Sequence, residues 1–124
     1  MPSTAKIAIW DLLPTGATLL IICAHLTCVQ GATQTPLPQL EILDAAGNVV
    51  SLYPGASAAQ SASITSTYDW YDGATLTAGA AATSNRAPIP RGLAVKGGWI
   101  VRTNTTGKGA NTDHSALALH VIAL

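Results

Sequence analysis

The chain has 124 residues, with six basic and six acidic side chains, a formal net charge of zero, and charged residues amounting to only 10% of the total, against about 25% in an ordinary soluble domain. A length of this order fits one domain around one hydrophobic core. Low charge beside 48% hydrophobic residues excludes intrinsic disorder, which needs the reverse balance, and the scattered cations exclude the basic footprint of a nucleic-acid binder.

Met1 to Lys6 carries one cation and no compact apolar stretch before a cleavage site, so no secretory signal is expected. The segment 1–13 holds Ile7, Ile9, Trp10, Leu12 and Leu13. It is expected either to dock on a neighbouring subunit as an arm or to form a first strand. Ala17 to Val29 is the longest apolar run, and Leu20, Ile22, Ala24, Leu26 and Cys28 alternate with Ile21, Cys23, His25, Thr27 and Val29. That period of two predicts the central strand. The run is too short and, with Thr18, His25 and Thr27, too polar to span a membrane. In a strand Cys23 and Cys28 stand on opposite faces roughly 16 Å apart, too far to pair. Two free, buried thiols suit a protein made in a reducing cytoplasm.

Beyond the loop from Gly31 to Pro38, Gln39–Asp44 and Val49–Tyr53 flank Ala45-Ala46-Gly47-Asn48, the pattern of a hairpin. Ala62 to Trp70 sets Ile64, Ser66, Tyr68 and Trp70 on one face against Ser63, Thr65, Thr67 and Asp69, a half-buried strand closed by turn chemistry at Asp72-Gly73. Thr75 to Asn85 has no period and is expected to be mobile or ordered by a partner. Pro88-Ile89-Pro90 cannot donate ladder hydrogen bonds from either proline and belongs at a sheet edge or at a crossing between sheets. A hairpin-like turn at Lys96-Gly97-Gly98 leads into Trp99–Thr103. After a polar loop, the last strand runs from about Ser115 to Leu124, an apolar end that has to be paired or covered. No segment carries a capped 3.6-residue period. The whole predicts an all-β, single-domain antiparallel sandwich or small barrel, jelly-roll or immunoglobulin-like, of six to eight strands over residues 1–124.

Chemistry-bearing residues are sparse. A zinc site wants several Cys or His at characteristic spacing, and Cys23 with His25 supplies two on one strand face; no metal or other cofactor is expected. His114 and His120 fall on one face if the last strand is unbroken, and both read as surface or loop histidines. No Gly-x-Ser-x-Gly elbow, paired carboxylates or phosphate loop occurs, and Glu41 is the one Glu in the chain. No catalytic residues are assigned, and an enzyme is not expected. Asn104-Thr105-Thr106 matches the glycosylation sequon and is given no role. Tyr68, Trp70 and Trp99 on predicted strands read as core. The alternative is a sugar-stacking platform using Trp70, Tyr71 and Trp99.

Several local patterns in this order resemble small virion proteins of tailed bacteriophages. They are Leu40-Glu41-Ile42-Leu43-Asp44-Ala45-Ala46-Gly47-Asn48-Val49, Tyr68-Asp69-Trp70 with Asp72-Gly73, Pro88-Ile89-Pro90, Lys96-Gly97-Gly98-Trp99-Ile100-Val101-Arg102 and Asp113-His114-Ser115-Ala116-Leu117. Where such proteins often place an Arg after the first long strand, this chain has Gly31-Ala32-Thr33. The resemblance implies a β-sandwich that decorates or cements the capsid, binding the major capsid protein as a homo-oligomer on the virion, after synthesis in the host cytoplasm. Contacts are then expected from Ile7, Ile9, Trp10, Leu12, Leu13, Arg86, Ile89 and Arg91, that is, from the N-terminal segment, the 75–90 loop and exposed strand edges. No contact with nucleic acid or membrane is expected. The alternatives are a head-to-tail or tail component, a host-binding tip, or a carbohydrate-binding module.

Overall fold

The structure, a computed structural model, describes residues 6–8, 17–30, 35–107, 112–115 and 117–123. Among the described residues there are ten strands and no helix: β1 (Lys6–Ala8), β2 (Thr18–Gln30), β3 (Leu37–Leu43), β4 (Val49–Pro54), β5 (Thr65–Tyr71), β6 (Ser84–Pro88), β7 (Ala94–Lys96), β8 (Ile100–Thr106), β9 (Thr112–His114) and β10 (Ala118–Ala123). They form a four-stranded sheet, β1-β8-β3-β4, and a six-stranded sheet, β10-β2-β5-β6, in which β7 and β9 also pair with β2. The all-β sandwich expected from the sequence is therefore present. Three of the ten strands are three-residue pieces, too short for a sequence period to reveal.

β2 organises the larger sheet because thirteen residues leave room for two partners along each edge. β10 pairs with Leu19–His25 and β9 with Cys28–Gln30, while β5 pairs with Cys23–Val29 and β7 with Thr18–Leu20. The overlapping registers put β9 and β10 on one edge and β5 and β7 on the other. The last strand thus begins earlier than its sequence suggests and is interrupted. At Ser115 the chain leaves the ladder, yet Ser115 N–H donates to Thr27 O and Thr27 N–H donates to the Ser115 hydroxyl, both at 2.9 Å. The break puts His114 and His120 on separate strands.

The alternation in β2 does not run through unbroken. Leu19 and Ile21 face inward, and so do Ala24, Leu26 and Cys28, which is a change of phase between Ile21 and Ala24. The ladder to β10 supplies the cause: His120 opposes Cys23 but Val121 opposes Ile21, leaving Ile22 as the extra residue of a β-bulge. A strict period of two aligns Ile22 with Ala24, Leu26 and Cys28, which are buried, whereas Ile22 is exposed.

The β3–β4 hairpin follows its turn chemistry. Asp44 Oδ1 accepts from the N–H groups of Ala46 (3.0 Å) and Asn48 (2.9 Å), and Gly47 sits at φ +87°, a region open to glycine. Two connections depart from expectation. Lys96-Gly97-Gly98 does not close a hairpin, since β7 belongs to β2 and β8 to β3 and β1; the turn carries the chain from one sheet to the other. β5 and β6 pair in parallel, an exception to the antiparallel pattern that requires a crossing connection. Residues 72–83 supply it.

One cluster fills the space between the sheets, with Leu26, Cys28, Leu40, Ile42, Tyr68, Trp70, Val95 and Val101 at its centre. Tyr68 and Trp70 stack with ring centroids 6.2 Å apart, and Trp70 Nε1 donates to Tyr53 O at 3.0 Å. The Tyr68 hydroxyl donates to Gln60 Oε1 (2.9 Å), whose amide Nε2 donates to Ile64 O (2.7 Å) and Cys28 O (3.2 Å). This buried relay gives each polar atom a partner, as a low-dielectric interior demands.

Candidate interaction surfaces

Because Ala24, Leu26, Tyr68, Trp70, Asn85 and Ala87 turn inward, the residues between them form the outer face of the six-stranded sheet. Register aligns them into rows: Ala118, His25, Asp69 and Arg86 in one, His120, Cys23, Tyr71 and Pro88 in the next. His25 Nδ1 meets Asp69 Oδ1 at 2.6 Å, with the two side chains 47% and 42% exposed. A pair so open to water contributes at most about 1 kcal/mol. Cys23, His25 and His120 share this face, but among the described residues no three Cys, His, Asp or Glu side chains are placed to hold a metal ion.

The same face turns apolar towards the start of β2. The bulge directs Ile22 outward, and Ile122 stands opposite Leu20; Ile22 and Ile122 are both exposed. Beside them lies an open cleft of about 190 Å³ lined by Leu20, Ile21, Ile22, Asp72, Pro90, Arg91 and Gly92. Arg91 Nε donates to Asp72 Oδ2 at 3.0 Å, and the Arg91 side chain is otherwise almost wholly in solvent. An apolar floor with a cation at the rim can seat an apolar side chain of a partner and meet a neighbouring acidic group.

Arg86 and Arg91, both expected as contacts, therefore lie on or beside one face. Ile89 does not join them. It is buried in the core, and its N–H donates to Tyr71 O at 3.3 Å, because Pro88 and Pro90 hold the strand extended and alternation turns Ile89 inward with Ala87. Ile7 lies in β1, in register with Val101 of β8, so a first strand does form over Lys6–Ala8. Ile9, Trp10, Leu12 and Leu13 lie outside the described residues.

The aperiodic stretch from Thr75 is held by the chain itself rather than left loose. Ser57 N–H donates to Thr77 O, Thr77 N–H to Arg86 O, Ser61 N–H to Ala80 O and Ala80 N–H to Ala59 O. The Thr77 hydroxyl adds a bond to the buried Asn85 side chain at 2.9 Å. Of the sugar platform of Trp70, Tyr71 and Trp99, Trp70 is fully buried, Trp99 packs half-buried against the core and Tyr71 is half-buried on the outer face. Trp70 cannot stack on a ligand without unfolding.

Three polar arrangements have no period to announce them. Glu41, 2% exposed, accepts at Oε1 from Nε and Nη2 of Arg102 (both 2.6 Å) and at Oε2 from Asn104 Nδ2 (2.8 Å). Asn104, the acceptor of the sequon, is thus engaged. His114 is buried rather than superficial, its Nε2 3.1 Å from the Thr105 hydroxyl. The His25–Asp69 pair depends on a β2–β5 register that local sequence does not state. No known protein family, curated protein or solved structure matches this chain.

Proposed function

We propose that this is a non-enzymatic structural protein of a tailed-bacteriophage virion, which decorates or cements the capsid by binding assembled major capsid protein. The observation that carries the reading is the outer face of the six-stranded sheet, where exposed Ile22 and Ile122 adjoin a cleft rimmed by Arg91, with Arg86 farther along the face. Such a surface offers apolar area beside charged groups of both signs, Arg91 with Asp72 at the cleft and Arg86 next to Asp69, a composition suited to a protein partner. A low overall charge keeps the desolvation cost of broad contact small. The resemblance in the local patterns around Leu40–Val49 and Lys96–Arg102 supplies the capsid as the partner.

The test is co-sedimentation of the purified chain with shells assembled from the major capsid protein, with unassembled subunits as the control. Saturable binding to shells alone supports the reading, and Arg91→Glu should weaken it. Failure to bind shells moves the tail-component and host-binding readings forward. A glycan module would instead show quenching of tryptophan fluorescence by sugars, with Trp99 and Tyr71 as the rings still partly accessible.

A further inference from the structure

Among the described residues six strands lie at sheet margins: β1 and β4 in one sheet, β6, β7, β9 and β10 in the other. An open margin is a template for another strand, and proteins block it with charges, prolines or short strands. β1, β7 and β9 are three residues long, β6 carries Arg86 and Pro88, and β10 carries His120 at the bulge in its ladder to β2. β4 reads Val-Val-Ser-Leu-Tyr-Pro, with no charge, a bulge at Val50 and its proline at the last position, which leaves the stretch around Leu52 regular. Three of the large apolar side chains exposed among the described residues stand on it: Val49 (56%), Val50 (51%) and Leu52 (41%).

The backbone of β4 is also set to pair. Gly55 N–H donates to Pro38 O at 2.9 Å, which makes Gln39 and Pro54 a pair without mutual bonds and Leu40 and Tyr53 the bonded pair. Leu52, one residue on, therefore turns its N–H and C=O away from β3, towards the open margin. Tyr53 turns its N–H and C=O towards β3, Pro54 has no N–H, and the register shift between Ile42 and Leu43 leaves Val50 as a bulge, so the pairing centres on Leu52.

We propose that β4 pairs antiparallel with β4 of a second copy across a twofold axis, joining the two four-stranded sheets into one. A twofold contact brings a surface against itself and must be self-complementary. A charged strand would meet its own charge, whereas β4 meets only Val and Leu on the outer face, and Pro54 ends the pairing. The inference is independent of the shell-binding reading, because self-association is measured with no shell present.

The test is sedimentation equilibrium of the full chain over a concentration series, with hydrogen exchange at the Leu52 amide. The expected mass rises to twice 12.6 kDa, and exchange at Leu52 slows in step. Leu52→Lys should raise the dimer dissociation constant about tenfold or more, since like charges then oppose each other across the axis. Leu52→Thr, which keeps strand propensity, should act in the same direction. Ile122→Lys, on the other sheet, should leave the dimer intact. A monomer at every concentration overturns the proposal, as does a dimer that Ile122→Lys breaks while Leu52→Lys does not or in which Leu52 exchange is unchanged.

Discussion

Glu41 shows how a single residue can be decided by its neighbours. On an outward position of β3 a lone carboxylate would normally meet water, but here both its oxygens are used by Arg102 and Asn104. Glu41→Ala leaves Arg102, one third exposed, without its partner. The expected loss is about 2 kcal/mol, less than for a fully buried pair because water reaches the guanidinium. Urea unfolding measures it, and adding Arg102→Met should recover part of the loss. Tyr68 provides a pH test. Burial pushes its hydroxyl well above the ordinary tyrosine range, so the fold favours the protonated form. Stability is then fully present below the unfolded value of about 10 and declines as pH rises above it, because the unfolded chain releases the proton first. Tyr68→Phe should lower stability near neutral pH by about 1–2 kcal/mol, through the unpaired Gln60 oxygen, yet flatten the alkaline decline. Melting temperatures from neutral to strongly alkaline pH distinguish the two effects.

Among the elements, the segment between β5 and β6 departs furthest from its sequence reading. Its Ala, Thr and Gly residues form no period, yet its backbone groups are bonded to residues 57–61 and 86. Gly79 makes the close approach possible: it sits at φ +77°, and a Cβ there would collide with the Ala58 carbonyl oxygen. Gly79→Ala combines left-handed strain with that clash, so a loss of about 2 kcal/mol or more is expected. Proteolysis should then cut within residues 75–83 before the rest of the chain. If cleavage is unchanged, the pinning is weaker than its bonds suggest. β2 makes the complementary point, since its type and extent were legible from apolar alternation, while the bulge at Ile22 was not. A bulge is a property of the ladder to β10, nearly a hundred residues away in the chain, and nothing local marks it.

For the whole molecule, the decisive feature is that strands distant in sequence close both edges of β2. β9 and β10 pair with it along nearly its full length, and Leu117, Leu119 and Val121 turn into the core. Truncation after Ser115 should expose one edge of β2 and remove three core side chains, giving aggregation or loss of cooperative unfolding by circular dichroism. A soluble, cooperatively folding truncation would show that the sandwich does not need its last strand. Such non-local pairing also puts folding in the slow range for all-β chains.

The sequence by itself determined the fold class, the hairpin at Asp44–Asn48, the central strand and the inward face of β5, because alternation and turn chemistry act over a few residues. Tertiary structure alone decided that Ile89 is core, that His114 is buried, that β6 runs parallel to β5, and that Arg86 shares a face with His25 and Asp69. Each of these depends on register between strands far apart in the chain. Register is fixed by the packing of the whole core, not by any one segment.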